Sequence, residues 1–132
     1  MSNRIVHFEI YAGNTGRAKK FYQEVFGWEF QLWMEEPPYW GVMTAPEGSE
    51  ELGINGGLMT RQGEMPKDGA PVNAYVCTVQ VASYDEIHDK ILKGGGVVAM
   101  PKHAIPGMAW QGYYKDTEGN IFGVHQPDEN AQ

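Results

Sequence analysis

The chain has 132 residues, a formal net charge of −7 and a single cysteine, Cys77. This length predicts one domain with a core that needs no disulfide, and the lone cysteine favours a reducing, cytoplasmic location. The acidic balance argues against nucleic acid and membrane surfaces as partners, and no apolar run suggests a signal peptide or a membrane span.

The first predicted strand covers residues 4–11 and has two unlike faces. Side chains alternate across a strand, so odd and even positions point in opposite directions. The apolar face consists of Val6, Phe8 and Ile10. The polar face consists of His7, Glu9 and Tyr11. A row of these polar residue types is typical of a concave, polar interior, although an ordinary solvated strand face is the alternative.

The following segments complete a first unit. Residues 16–26 carry apolar side chains at helical spacing, and Gly27 follows as the helix terminator. Three further strands are predicted at 28–34, 39–44 and 54–60. The pattern thus predicts a βαβββ module over about residues 4–62.

The same pattern returns after a polar, aperiodic linker at 63–70. A strand over 72–81 leads to a capping box, Ser83 to Glu86, which opens the second helix. Three more strands are predicted: residues 97–100, ending at Pro101; residues 109–115; and residues 121–126. A loop over 103–108, a tight hairpin over 116–120 and a loose tail over 128–132 complete the chain.

The apolar stripes of the two helices lie 66 residues apart, from position 18 to position 84, which indicates an internal repeat. Module 2 covers about residues 71–127. Each module has a half-exposed sheet and one helix, so the two modules must pair to bury both. The predicted fold is therefore α+β: two paired βαβββ modules in a single domain, forming an open eight-stranded cup with the helices outside.

Several motifs occur in a recognisable order. They are Val6-His7-Phe8-Glu9, the helix from Ala18 to Gly27, Gly94-Gly95-Gly96-Val97, and the segment from Tyr114 to Asn120. Together they resemble the vicinal oxygen chelate superfamily, which includes glyoxalase I, extradiol dioxygenases, methylmalonyl-CoA epimerase and bleomycin-resistance proteins. The segments 54–59 and 123–129 are similar to a branch described as related to lactoylglutathione lyase. The resemblance implies homodimers and pockets for small molecules.

The resemblance also implies a divalent metal held by four inward residues. Carried onto this chain, the four positions are His7, Gly57, either Asn73 or Tyr75, and Gly123. A catalytic zinc needs about three protein ligands, so no metal or other cofactor is expected. The two glycines would instead widen the cup for a ligand. A shifted set of His7, Glu9 and His125 is the alternative, although residues two apart on a strand lie about 7 Å from each other.

These observations define a candidate pocket. Its expected residues are His7, Glu9, Met59, Tyr75, Cys77, Trp110 and His125. The expected function is a glyoxalase-like protein of unassigned reaction that binds a small molecule, with a degenerate metal site. The alternatives are a metal-dependent lyase, isomerase or dioxygenase with the shifted ligand set, and a drug-sequestering dimer of the resistance type. Whether the protein is an enzyme is left open by the sequence.

Overall fold

The computed structural model describes residues 3–132, with eight strands and two helices. The chain divides into two compact units, His7–Tyr75 and Val76–Gln132, and the beginning of the first strand, up to Val6, groups with the second unit. Each unit contains one helix.

The first unit contains α1 (Thr15–Phe26), β2 (Glu29–Glu35), β3 (Pro38–Met43), β4 (Gly56–Thr60) and, from His7 onward, β1 (Arg4–Ala12). The strand order is β2-β3-β4-β1, in which β1 and β4 run parallel and the other neighbours run antiparallel. The parallel pair follows from the crossover through α1, because parallel strands cannot be joined by a tight hairpin.

Local signals set the limits of α1. The Asn14 side chain accepts a hydrogen bond from the Arg17 amide, and Gly27 ends the helix in a left-handed conformation with φ of 75°. The helix-facing side of the sheet forms a core of four buried residues, against which apolar residues of α1 and β2 pack. The four buried residues are Phe8, Ile10, Val42 and Leu58.

The second unit contains β5 (Val76–Gln80), α2 (Tyr84–Lys93), β6 (Val97–Ile105), β7 (Ala109–Lys115) and β8 (Ile121–Pro127). Its strand order is β5-β8-β7-β6, with β5 and β8 parallel. Its helix-facing core has Val81, Tyr84, Tyr114 and Val124 at the centre. The predicted α+β class and the duplicated βαβββ order are therefore confirmed.

Two expectations about the second unit are wrong. The strand that was expected to stop at Pro101 continues to Ile105, because β6 ends the strand order and its pairing with β7 shifts register between Met100 and His103. Proline is tolerated at such irregular edge positions. The tail over 128–132 is docked rather than loose: the Asp128 amide donates to the Met108 carbonyl at 2.8 Å, and Ala131 is only 2% exposed.

Within residues 3–132, neither helix has the length and apolar character needed to cross a membrane.

Tyr84 of α2 packs closely against Gly112 of β7, and this contact leads to a testable prediction about stability. A Cβ added to Gly112 would lie 1.9 Å from the Tyr84 hydroxyl oxygen, whereas one added to Gly13 would meet nothing within 4 Å. Overpacking of this kind costs about 1–3 kcal/mol. Gly112→Ala should therefore lower the free energy of unfolding in urea by that amount, and Gly13→Ala should change it much less.

The double variant Gly112→Ala/Tyr84→Phe identifies the cause. Removing the hydroxyl removes the closest clash, so the two substitutions together should destabilise less than the sum of their separate effects. Strict additivity would contradict this explanation.

Candidate functional site

A polar surface lies on the side of the first unit that faces away from α1. We call it the polar face and define it by His7, Glu9, Tyr11, Tyr39 and Met59. Strand pairing places these residues together, because Glu9 pairs with Gly57 while Met59 pairs with both Tyr11 and Tyr39. Directly paired residues point to the same side of a sheet. Glu9 is only 5% exposed, so its carboxylate needs partners within the protein.

Tyr39 and Tyr11 are the partners of the Glu9 carboxylate, and Tyr39 also forms a hydrogen bond with His7. Its hydroxyl donates to Glu9 Oε2 at 2.8 Å and lies 2.8 Å from His7 Nε2. Since the single hydroxyl proton is used on Glu9, His7 Nε2–H is the donor to Tyr39. The Tyr11 hydroxyl donates to the other Glu9 oxygen at 3.2 Å. The result is a continuous chain of hydrogen bonds from His7 through Tyr39 to Glu9.

The rings of Tyr39 and Trp33 lie so close to the backbone that the residues beneath them, Gly57 and Gly41, must be glycine. A Cβ on Gly57 would lie 2.0 Å from the Tyr39 hydroxyl oxygen, and a Cβ on Gly41 would lie 2.2 Å from the Trp33 ring. The Trp33 and Tyr39 rings are stacked, with centroids 6.0 Å apart. The expectation that Gly57 leaves open space for a ligand is therefore wrong, because the Tyr39 side chain fills the space above it.

Burial and charge act in opposite directions on His7. Burial lowers the pKa of the imidazole below its ordinary value of 6.5, and the nearby Glu9 carboxylate partly offsets that fall. Burial and the same carboxylate both raise the pKa of the Tyr11 hydroxyl. At neutral pH, His7 is therefore neutral and Tyr11 remains a hydrogen-bond donor.

The second unit has a comparable surface on its side away from α2. Thr78 pairs with Gly123, and Gln111 pairs with His125. His125 Nδ1 lies 2.8 Å from Gln111 Oε1, so this nitrogen carries the proton and donates to the amide oxygen. A Cβ on Gly123 would lie 2.5 Å from Thr78 Oγ1 and 2.9 Å from Gln111 Nε2. Neighbouring side chains again fill the space above a glycine.

Three expected pocket residues lie instead on the helix-facing sides of their units. Tyr75 stacks on Phe8 at 5.3 Å and donates to the Tyr22 hydroxyl at 2.8 Å. Trp110 packs against the core beside α2. Cys77 shares its side of β5 with Val79, which also packs against that core. The expectation that Tyr75 and Cys77 face as His7 does is wrong, because their positions have the opposite strand parity.

Strand register also corrects the third metal-ligand position. His7 lies two residues before Glu9, which pairs with Gly57, and the equivalent residue in the second unit lies two before Thr78. That residue is Val76, which is buried and apolar. The offset between these strands is 69 residues (9 to 78), rather than the 66 residues that separate the helices and glycines. Asn73 and Tyr75 are therefore not the equivalent residues.

The residues at the four positions that the resemblance assigns to metal ligands do not fit a metal. Gly57, Val76 and Gly123 have no donor side chain, which leaves His7 alone. Among residues 3–132, no group of three or more His, Cys, Asp and Glu side chains could hold an ion. Both donors of the shifted set that lie in the first unit, His7 and Glu9, are bonded to Tyr39.

Tyr39 and Gln111 are the site residues that sequence reasoning missed. The signal available in the sequence was a glycine at each inward position, which leaves room for a neighbouring side chain above it. Only the pairing of β3 with β4 and of β7 with β8 identifies which side chain does so.

Comparisons with known proteins agree with this architecture. The family profile described as bleomycin resistance protein-like N-terminal matches residues 4–45. A glyoxylase-like domain-containing protein from Didymella fabae is 26% identical over 134 residues, covering 94% of each chain.

Two solved structures show the same fold at low identity. A glyoxalase/bleomycin resistance protein/dioxygenase superfamily member from Vibrio splendidus has a TM-score of 0.63 and 14% identity, covering 93% of this chain and 97% of its own. Methylmalonyl-CoA epimerase from Mycobacterium tuberculosis has a TM-score of 0.60 and 14% identity, covering 94% and 87%. The predicted resemblance is confirmed at the level of the fold.

The environment of His7 predicts a measurable titration. Glu9→Gln removes the negative charge that favours the imidazolium, so the pKa of His7 should fall further below 6.5. Imidazole resonances followed by NMR against pH give this value directly. The resonances of the exposed His103, which lies outside the polar face, serve as the internal reference. A His7 pKa that is unchanged or raised in the variant would contradict the described contact.

Proposed function

We propose, on the premise that the chain has the fold of the glyoxalase/bleomycin resistance/dioxygenase superfamily, that the protein binds a small molecule at the polar face without a metal ion. The single observation that carries this proposal is the Tyr39 hydroxyl above Gly57, 2.8 Å from both His7 and Glu9. A protein side chain occupies the position from which a metal ligand would extend.

The polar face offers a ligand both kinds of hydrogen-bonding group. His7 donates a hydrogen bond from Nε2–H to the Tyr39 hydroxyl, and its other ring nitrogen, Nδ1, is an acceptor that this bond does not use. The lowered pKa keeps the ring neutral, so this acceptor is present at neutral pH. Met59 is half-buried beside Tyr39 and Tyr11 and adds an apolar surface. A hydroxy or carbonyl compound of modest size matches this combination of groups.

Hydrogen bonding also positions the acidic group of the site. The Glu9 carboxylate accepts from two tyrosine hydroxyls, and the chain of bonds to His7 provides a route for a proton between a ligand and this buried carboxylate. Proton transfer of this type is the chemistry open to these residues, because it needs only a base, a relay and a bound ligand.

A drug-sequestering protein is the second candidate. The match of residues 4–45 to a bleomycin resistance-like profile and the net charge of −7 favour it, because an acidic protein attracts cationic compounds. The two candidates share the fold and differ in the ligand that the protein binds.

We also infer a cytoplasmic homodimer. The resemblance implies dimers, and several large apolar side chains of the first unit, Val25, Phe26 and Trp33, are more than half exposed. A second copy of the chain would remove such side chains from water where they lie together on the surface. Sedimentation of the purified protein at several concentrations measures the oligomeric state.

Ligand binding and metal content test the main proposal together. Protein purified without added metal should contain well under one equivalent of iron, zinc, nickel or manganese. A panel of small hydroxy and carbonyl compounds should then give binding, measured by NMR, that excess EDTA leaves unchanged. Tyr39→Phe removes the hydroxyl that holds the proton of His7 on Nε2, so Nδ1 is no longer fixed as an acceptor and the best ligand should bind about tenfold more weakly, the effect of one buried hydrogen bond.

His103→Gln is the matched control, because His103 is exposed and lies outside the polar face. Stoichiometric metal in the purified protein, or binding that EDTA abolishes, would overturn the metal-free proposal. Equal affinity of Tyr39→Phe and the unmodified chain would remove the polar face as the site.

Thermal shift with bleomycin separates the second candidate from the first. A ligand that binds only the folded state raises the melting temperature by mass action. A resistance-type protein should melt several degrees higher with excess drug at low salt. No shift under those conditions, beside a clear shift with a small carbonyl compound, would rule that candidate out.

A further inference from the structure

A cavity of about 430 Å³ lies at the other end of β1, away from Arg4, and belongs entirely to the first unit. It is bounded by the end of β1, the first turns of α1 and the segment after β4. Its volume lies within the range of about 300–1,000 Å³ typical of small-molecule pockets. None of the expected pocket residues lines it, and Tyr11 is the only residue it shares with the polar face.

The charge of this cavity is opposite to that of the chain. Arg17 and Arg61 line it, and no Asp or Glu among residues 3–132 does. The whole chain carries 17 acidic and 10 basic residues. The charged side chains that line the cavity are both positive, so its charge has the opposite sign to the net charge of the chain. The first turn of α1 also contains no acidic residue.

Arg61 is held in place rather than extended into solvent. Its backbone amide donates to the Ala12 carbonyl at 3.0 Å, and its guanidinium Nη2 donates to the Tyr11 carbonyl at 2.7 Å. Only one of the five N–H groups of the guanidinium is used in this bond. The remaining donors belong to a half-buried, positioned cation, which is the arrangement that binds carboxylate or phosphate in a fixed geometry.

The remaining surface of the cavity is largely apolar and aromatic. Phe21 and Tyr22 come from α1, and Met65 and Pro66 come from the segment after β4. The Phe21 and Tyr22 rings meet edge to face, with centroids 5.2 Å apart. An aromatic group can pack against these side chains while an attached anion reaches the arginines.

We propose that this cavity is a second binding site, which takes a small aromatic or apolar molecule with an anionic end held by Arg17 and Arg61. Carboxylate and phosphate share the chemistry that the guanidinium groups recognise, and the apolar lining favours a ligand with a ring over a bare anion. Because Tyr11 lines the cavity and donates to Glu9, occupancy would be transmitted to the polar face through a single residue.

Phenylacetate, phenylacetamide and inorganic phosphate distinguish the contributions of charge and ring. NMR titration of the full chain should show that phenylacetate shifts the signals of Gly13 and Phe21 with a dissociation constant of about 1 mM, typical of so small a ligand. The neutral amide and phosphate alone should each bind at least tenfold more weakly. Failure of phenylacetate to bind, or equal binding of the amide, would overturn the proposal.

Substitutions locate the site. Arg17→Met and Arg61→Met should each weaken phenylacetate about tenfold, whereas Arg61→Lys, which keeps the charge, should lose less. Lys20→Met is the matched control, because Lys20 lies on α1 outside the cavity and its removal changes the net charge equally. Arg61→Met also removes the hydrogen bond to the Tyr11 carbonyl and could unfold the chain. Arg17 is exposed, so Arg17→Met should leave the fold intact and tests the site by itself.

The outcomes also separate this site from the polar face. Phenylacetate binding should persist in Tyr39→Phe, whatever that substitution does to the ligand of the polar face. Loss of phenylacetate binding in Tyr39→Phe but not in either arginine variant would assign the ligand to the polar face and overturn this inference. Equal weakening by Lys20→Met and the arginine variants would show a general charge effect and overturn it as well.

Discussion

The hydroxyl of Tyr39 is the contact on which the arrangement of the candidate site depends. Glu9 is a carboxylate that is almost fully buried, and a buried charge is tolerated only when its oxygens are hydrogen-bonded. Tyr39 and Tyr11 meet that requirement. Tyr39 reaches Glu9 only because Gly57, which pairs with Glu9, has no side chain to block the ring. Glycine at this position is thus a packing requirement of the polar network.

The second unit repeats the strand positions of the polar face but fills them with different residues. Gln111 pairs with His125 as Tyr39 pairs with Met59, so Gln111 and Tyr39 occupy equivalent positions in the duplicated module, although the side-chain bond of Gln111 is to His125. Thr78 is likewise the equivalent of Glu9, since each pairs with the inward glycine. Thr78 is 3% exposed, and its hydroxyl has no hydrogen-bond partner within residues 3–132. The duplicated backbone geometry therefore persists where the chemistry of the two units has diverged.

Two surfaces of the first unit present different chemistry to a ligand. The polar face combines a neutral imidazole, two hydroxyls and a carboxylate, whereas the cavity combines two guanidinium groups with aromatic rings. Tyr11 belongs to both: its hydroxyl bonds to Glu9, while its carbonyl accepts from Arg61. A ligand that draws Arg61 away from this carbonyl would therefore alter the residue that also supports Glu9.

The sequence by itself determined the duplicated βαβββ order, the Ser83 cap that opens α2, the Gly27 end of α1 and the polar composition of the first strand. Periodicity and capping act between residues close in the chain, so they can be read without knowing the fold. It also identified His7 and Glu9 as members of the candidate site. The tertiary structure alone decided that Tyr39 lies above Gly57 and that Tyr75 packs on Phe8 instead of sharing a surface with His7. The physical reason is strand register: a one-residue difference in pairing sends a side chain to the opposite face, and pairing is set by contacts between strands far apart in the sequence.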